Sequence, residues 1–251
     1  MKQNKNYEIS IVIPSYNESE NIIEILDKIE KLFLENSNLK NILEIIIVNN
    51  GSNDDTDKII KSNFLFKSKI IAYLLLQQNR GYGNGIIQGI NISKGQIISW
   101  THADNQTDFK DVIKIFNKYK KKLNENEILV KGKRKNRNFF DAFFTFGMSL
   151  FVFLITRKFL ADINAQPKVF NRKLYNKFAN PPHDFSLDLY TLMLAKKNNI
   201  NIIEFPVYFK KRKFGIAKGG GTIKGKMTLI FRTIKYIIKI KKYGNNSPQN
   251  K

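Results

Sequence analysis

The segment from Ile97 to Asp108, IISWTHADNQTD, carries more chemistry than any other stretch of the chain. A hydrophobic run ends in a lone carboxylate, Asp104, flanked by His102, Asn105 and Gln106. A strand that leads directly into side chains able to bind a metal or a phosphate marks an active site at the edge of an α/β sheet.

The surrounding pattern supplies the elements that hold such a loop in place. Ile9 to Pro14 alternates little and predicts a buried strand, and Glu20 to Leu34 carries Ile22, Ile23, Leu26, Ile29 and Phe33 at helical spacing. Leu43 to Val48 predicts a second strand, Thr56 to Lys61 a short helix and Ile70 to Leu76 a third strand. Ile86 to Ser93 predicts a further helix and Ile97 to Trp100 a fourth strand. Such alternation predicts an open parallel sheet whose post-strand loops gather on one edge, where a nucleotide would lie.

Each of those loops has its own reading. In PSYNE, Pro14 ends the strand, and Asn17 or Ser15 is placed to cap the helix that begins near Glu20. In NNGSNDDT, Asn49 and Asn50 offer uncharged hydrogen bonds to a ribose or base edge; an ordinary Asn-Gly turn is the alternative. NRGYGNGIIQG has a superficial likeness to a dinucleotide fingerprint, but it follows the third strand and lacks the acidic residue at the required remove. Gly81, Gly83 and Gly85 are therefore read as allowing a tight turn and close helix packing, with a phosphate contact from the helix start left open.

Composition bounds the rest. A chain of 251 residues suffices for one α/β domain with a small appendage, and the absence of cysteine excludes disulfides and thiolate metal sites. The polar start MKQNKNYE argues against a signal peptide and for the cytoplasm. The net charge of +22, from 43 Lys and Arg against 21 Asp and Glu, suits nucleic acid, anionic lipid or a multiply charged phosphate substrate. Much of that lysine excess is also what a solvated surface in a Lys-rich proteome would carry. No zinc knuckle, RNA-recognition or helix-turn-helix pattern is present, so nucleic acid is not expected as a partner.

Taken together, IVIPSYNE (Ile11 to Glu18), EIIIVNNGSNDDT (Glu44 to Thr56), NRGYGNG (Asn79 to Gly85) and the His102-Ala103-Asp104 segment resemble a family-2 glycosyltransferase of the GT-A fold. GKR (Gly132 to Arg134), DINAQPKVF from Asp162, EFPV from Glu204 and RKFGIAK (Arg212 to Lys218) narrow the likeness. They resemble dolichyl-phosphate mannose synthase and its bacterial polyprenyl-phosphate relatives, over roughly residues 7 to 220 with order and spacing kept. The resemblance implies a nucleotide-sugar-binding α/β domain over residues 1–218, with a mostly parallel central sheet flanked by helices. Residues 219–251 would form a basic amphipathic helix and a disordered tail.

By the same resemblance, Pro14, Tyr16 and Glu18 line the nucleotide base and ribose, and Val48, Asn50, His102, Ala103 and Gln106 complete the donor pocket. Relatives usually carry Asp-Ala-Asp, whose carboxylates hold a divalent ion against the donor diphosphate; here His102 replaces the first acid and Asp104 keeps the second. A His–carboxylate pair suits Mn2+ better than Mg2+. The alternative is that His102 touches ribose or phosphate, or is structural. Arg134, Arg212 and Lys218 fall where the family carries donor-phosphate contacts. Displacing a nucleoside diphosphate builds negative charge on the leaving group, and losing one preorganised donor there costs ~2.7 to 4 kcal/mol of barrier. The GIAKGGG run from Gly215 reads as a loop able to close over the diphosphate, whereas Lys210, Lys211 and Lys213 read as solvated.

For the acceptor, a sugar hydroxyl needs a positioned base, whereas a lipid phosphate is already anionic. Asp188 and Asp162 are the base candidates. The family's Ser-Gly-Phe after the latter is here Ala-Gln-Pro, and its acceptor-binding Arg is missing near Asp141, with Arg137 as a substitute. Phe139 to Thr156 is Phe-rich and almost uncharged, which predicts an interfacial or buried helix. Thr222 to Tyr243 has the pattern of a basic helix in an anionic headgroup layer, with a helix packed on the core as the alternative. The reading is an inverting hexosyltransferase, peripheral at the cytoplasmic membrane face, acting from a GDP- or UDP-sugar on a polyprenyl phosphate. The alternatives are a family-2 enzyme acting on a hydroxyl of a polysaccharide or glycolipid, and a catalytically degenerate homologue.

Overall fold

Uninterrupted β-branched runs build the centre of the molecule. Strand β1 (Ile9–Ser15) and strand β2 (Leu43–Asn49) are buried along almost their whole length, as strands covered on both faces must be. The computed structural model describes residues 7–136 and 160–214, together with helical residues 147, 150, 153, 225, 227, 228, 231–236 and 238. The chain divides into two compact units, residues 1–136 with 165–215 and residues 137–164 with 216–251.

In the first unit, α1 (Ser19–Glu35) and the short α2 (Leu39–Ile42) separate β1 from β2. Helices α3 (Thr56–Ser62) and α4 (Phe64–Lys67) lead to β3 (Ala72–Leu75), and α5 (Tyr82–Ile92) to β4 (Ile97–Trp100). Helix α6 (Lys110–Asn124) precedes β5 (Ile128–Lys135). The order then runs β6 (Lys168–Asn171), α7 (Arg172–Tyr175), α8 (Ser186–Lys197) and β7 (Asn201–Tyr208). The sheet order is β3-β2-β1-β4-β6-β5-β7. Strands β1 to β4 are mutually parallel, β5 is parallel to β7, and β6 runs antiparallel to both β4 and β5.

That reversed strand matters for the site. Lys168, the first residue of β6, is in register with Trp100 and with Lys131, so the start of β6 lies at the edge where β1 to β4 end. One face of the sheet is covered by α1, through Ile22, Ile25, Leu26, Ile29, Leu32 and Phe33, and by Val112, Ile115 and Phe116 of α6. Ile23, expected on the buried face of α1, is exposed, and Ile25 takes its place.

Three local expectations are corrected. Helix α5 begins at Tyr82, not Ile86: Gly81 at φ +107 precedes it, and three glycines lie inside it. A Cβ on Gly83 would stand 2.5 Å from the Pro182 carbonyl oxygen, and one on Gly89 would press on Val12 and Val48. Close packing thus outweighs a helix-propensity cost of ~1 kcal/mol per glycine. Neither Ser15 nor Asn17 caps α1; Asp54 accepts from Ser19 N (3.1 Å) and Thr56 Oγ1 from Glu18 N (3.2 Å), so the loop after β2 satisfies the helix start. Strand β3 is shorter than expected, because the Ile70 and Ile71 amides bond to the Leu65 carbonyl instead of joining the sheet.

In the second unit, Gly147, Leu150 and Phe153 are exposed helical residues within the expected Phe139–Thr156 helix, the rest of which lies outside the described residues. Met227, Phe231 and Ile238 are exposed on a helical stretch that also exposes Arg232 and Lys235, while Thr233 is buried. Among the described residues, no helix is long and apolar enough to cross a membrane.

Candidate functional site

The loop after β4 is tied down on several sides. Thr101 N bonds to Val12 O, the hydroxyls of Thr101 and Thr107 lie 3.2 Å apart, and Ala103 is sunk in the core. Asn105 adopts φ +57; its amide donates to Asn21 O (2.9 Å) and accepts from Lys28 Nζ (2.8 Å), which fastens the loop to α1. Asp104 Oδ1 accepts from Gln106 N, forming a tight turn that turns Oδ2 to the Arg212 guanidinium at 3.1 Å.

Arg212 also lies 3.5 Å from Glu18 Oε1, and Glu18 Oε2 accepts from Asn21 Nδ2 at 2.6 Å. Glu18 follows β1, Asp104 follows β4 and Arg212 follows β7, so three strand ends converge on one group of charges. The side chains keep 10%, 12% and 17% of their surface exposed, which leaves them open to a ligand. The segment bearing Arg212 is itself pinned. Lys210 N donates to Gln106 O (2.8 Å) and Gln106 Nε2 returns a bond to Lys210 O (3.2 Å), while Lys213, solvated as expected, makes a surface pair with Glu24 (3.2 Å).

Beside this group stands an aromatic stack. His102 lies on Tyr82 with centroids 5.3 Å apart, and Tyr82 lies on Phe185 at 4.6 Å. Burial pushes the His102 imidazole below its usual range, assisted by Lys168 and Arg134 and opposed by Asp104 and Asp188. A neutral His102 at pH 7 can ligate a cation or accept a hydrogen bond. Burial, with Asp188 and Asp104 nearby, pushes the Tyr82 phenol well above its usual range, so it stays protonated. Arg134, at the end of β5, sits over the Phe209 ring at 5.3 Å.

Asp188 belongs to a different layer. It accepts from Trp100 Nε1 (3.2 Å) and Gln166 Nε2 (3.0 Å), pairs with Lys168 (3.2 Å), and is fully buried with that lysine. Gln166 also donates to the Tyr82 hydroxyl, and Lys168 to Ala165 O. Asp188, a base candidate from the sequence, is thus a buried carboxylate with both oxygens accepting hydrogen bonds. Sequence reasoning missed Gln166, Lys168, Tyr82 and Phe185; the Lys of QPKVF inside an apolar strand is the one local signal of a buried cation.

The remaining candidates divide between cleft and scaffold. Pro14 and Asn50 both pack on Gly85, and Tyr16 is partly exposed beside them in sequence. Asn50 donates to Asn79 Oδ1 and Gly81 O, while its buried Oδ1 has no partner among the described residues. Asn49 is consumed by Tyr73 and the Ser52 amide, and Val48 is fully buried, so the Val48 side chain offers a donor no surface. At the start of α5, Asn84 N bonds to His183 O, and a Cβ on Gly81 would stand 2.4 Å from that carbonyl oxygen. Lys218, the GIAKGGG loop, Arg137 and Asp141 lie outside the described residues. Asp162 lies in the second unit, buried, at φ +45. Among the described residues no three His, Asp or Glu side chains gather around one point, so the pair expected from the sequence, Asp104 and His102, gains no third protein ligand there. One hard oxygen and one neutral imidazole fit Mn2+ when substrate oxygens and water complete the shell.

Charged loops at the carboxyl ends of parallel strands define a ligand-binding α/β domain. Residues 10–180 match the family described as Glycosyl transferase family 2, and the chain belongs to that family. It is 32% identical over 221 residues to a dolichyl-phosphate beta-glucosyltransferase of Dictyostelium discoideum, covering 80% of this chain and 66% of that one. The chain therefore spans slightly less than two thirds of that relative's length. It is 27% identical to a UDP-N-acetylglucosamine–dolichyl-phosphate N-acetylglucosaminyltransferase of Methanococcus voltae, covering 86% of this chain and 91% of that one. The fold matches glucosyl-3-phosphoglycerate synthase of Mycobacterium tuberculosis, solved with Mn2+, UDP and glucosyl-3-phosphoglycerate, with a TM-score of 0.70 at 15% identity over 93% of this chain and 79% of that one. The architecture is that of a GT-A fold, as expected.

Proposed function

We propose that the protein transfers glucose or N-acetylglucosamine from a UDP-sugar to a polyprenyl phosphate with inversion at the sugar carbon. The observation that carries this reading is the convergence of Asp104, Glu18 and Arg212 at the sheet edge beside a neutral His102. The name of the Methanococcus voltae relative, which specifies UDP-N-acetylglucosamine, favours a UDP-sugar over the GDP-mannose that the sequence motifs had left open. A divalent cation, when bound, would neutralise the donor diphosphate and stabilise the charge that develops on it.

Asp104 and His102 would hold that cation. Arg212 and Arg134 would receive the leaving diphosphate, Arg212 with the planar fork that suits phosphate oxygens. Pro14, Tyr16, Glu18, Asn50, Ala103 and Gln106 would frame the nucleotide, and Lys218 would add a further charge. An oxygen of the acceptor phosphate forms the new bond to the sugar carbon as the bond to the diphosphate breaks, and the electron pair leaves with UDP. That oxygen is already anionic and needs no base, which agrees with Asp188 being locked in a buried pair. The exposed Met227, Phe231 and Ile238 with Arg232 and Lys235 support peripheral attachment of residues 219–251 to an anionic membrane. Residues 1–218 would form the catalytic domain.

The test is transfer of radiolabelled sugar from UDP-glucose, UDP-N-acetylglucosamine and GDP-mannose into an organic-extractable product, with polyprenyl phosphate and either Mn2+ or EDTA. Label from a UDP-sugar in the lipid phase, abolished by EDTA, is expected. Label only on a polysaccharide or glycolipid hydroxyl, or from GDP-mannose alone, would refute the reading.

A further inference from the structure

We infer that Arg212 is a built-in competitor for the cation seat at Asp104, so that the divalent ion and the guanidinium exchange places when the donor binds. This rests on the proposed function, because it assigns a regulation to the same donor site. The contact is specific: Arg212 Nη2 takes Asp104 Oδ2, the one oxygen of that carboxylate not used by the Gln106 turn, at 3.1 Å. The other end of the fork faces Glu18. A divalent ion on Asp104 would need the same oxygen at ~2.0 to 2.6 Å, inside the distance at which the guanidinium now sits.

Both cations cannot keep that position. Two positive charges a few ångströms apart in a site of restricted exposure repel strongly, so occupancy by one weakens the other. The guanidinium is also held toward the seat. The reciprocal Lys210–Gln106 bonds and the Lys213–Glu24 pair fasten residues 210–213 across the β4 loop and α1. The diphosphate resolves the conflict, since it brings oxygens for the ion and a new bidentate partner for Arg212 at the same moment. The ion alone meets the competitor, whereas the ion arriving with a diphosphate displaces it onto the substrate. The device would keep the site from filling with free cation and would couple release of Arg212 from Asp104 to arrival of the correct ligand pair.

The experiment measures Mn2+ affinity without nucleotide, by electron paramagnetic resonance of free Mn2+, for wild type, Arg212→Ala and Arg212→Lys. Folding is checked by circular dichroism, and UDP binding by calorimetry. Arg212→Ala should bind Mn2+ about tenfold more tightly than wild type, the factor that one charge-assisted hydrogen bond represents. Arg212→Lys, which keeps the positive charge, should stay close to wild type. Unchanged or weaker Mn2+ binding by a folded Arg212→Ala protein would overturn the exchange. If that result came with UDP binding intact, only the exchange would fail; if no variant bound UDP, the functional reading would fail with it.

Discussion

The molecule holds two carboxylate–cation pairs near the same sheet edge, and they differ in nearly every physical respect. Asp104–Arg212 keeps 12% and 17% of its side-chain surface exposed, and its arginine is shared with Glu18. Asp188–Lys168 keeps 1% and 0%, and is further bonded to Trp100, Gln166 and the Ala165 carbonyl. A partly solvated pair is weak enough to trade partners. A buried one cannot, because removing either member strands the other in a low-dielectric interior. The first pair is therefore suited to binding and release, and the second to holding β6, α8 and the Tyr82–His102 stack in place beneath it.

The largest effect should come from the buried pair. Lys168→Met leaves Asp188 unpaired and should cost ~3 to 5 kcal/mol of stability, read from urea unfolding. A change below about 1 kcal/mol would mean that the pair is dispensable and the contrast false. Next, Asp104→Asn should raise the barrier to transfer by ~2.7 to 4 kcal/mol while barely moving the unfolding midpoint, as initial rates and melts on one preparation would reveal. Gly83→Ala drives a methyl against the carbonyls of Pro182 and Asp184 and should destabilise by ~1 to 3 kcal/mol, seen as an earlier urea midpoint.

The smallest effect is a pH slope. Because His102 titrates below its ordinary value of 6.5 when folded, the unfolded chain takes up a proton that the native state refuses. Its contribution to stability is full above that value and declines as pH falls from there toward the lower folded pKa, by at most ~1.4 kcal/mol per pH unit. Unfolding measured from pH 7.5 down to 5 should show that slope in wild type and a shallower one in His102→Asn. Equal slopes would place His102 in an ordinary solvated environment.

Much of this architecture is legible in the sequence. The span of β4 is the one expected, and the first three strands differ only at their ends, because unbroken Ile and Val runs bounded by polar loops leave few options. The loop after β4 was legible for the same reason: a carboxylate at the end of a buried strand has somewhere to act. What the sequence did not reveal depends on partners distant along the chain. QPKVF does not indicate that it inserts between β4 and β5, and its lysine has no visible partner until Asp188, twenty residues on, is seen against it. Glu18 was read as a nucleotide contact, yet its partner Arg212 lies nearly two hundred residues away. The start of α5 was misjudged because glycines suppress a local helix signal that packing against the Pro182–Asp184 backbone restores.

The partly exposed pair is thus assigned to reaction and the buried pair to support. The most direct test compares Asp104→Asn and Asp188→Asn for turnover and unfolding midpoint, assayed at a temperature where both are folded. Asp104→Asn should lose turnover with a wild-type midpoint, and Asp188→Asn should lose stability but turn over much as wild type does. A wild-type midpoint with collapsed turnover in Asp188→Asn would contradict this assignment and return that residue to the role of base.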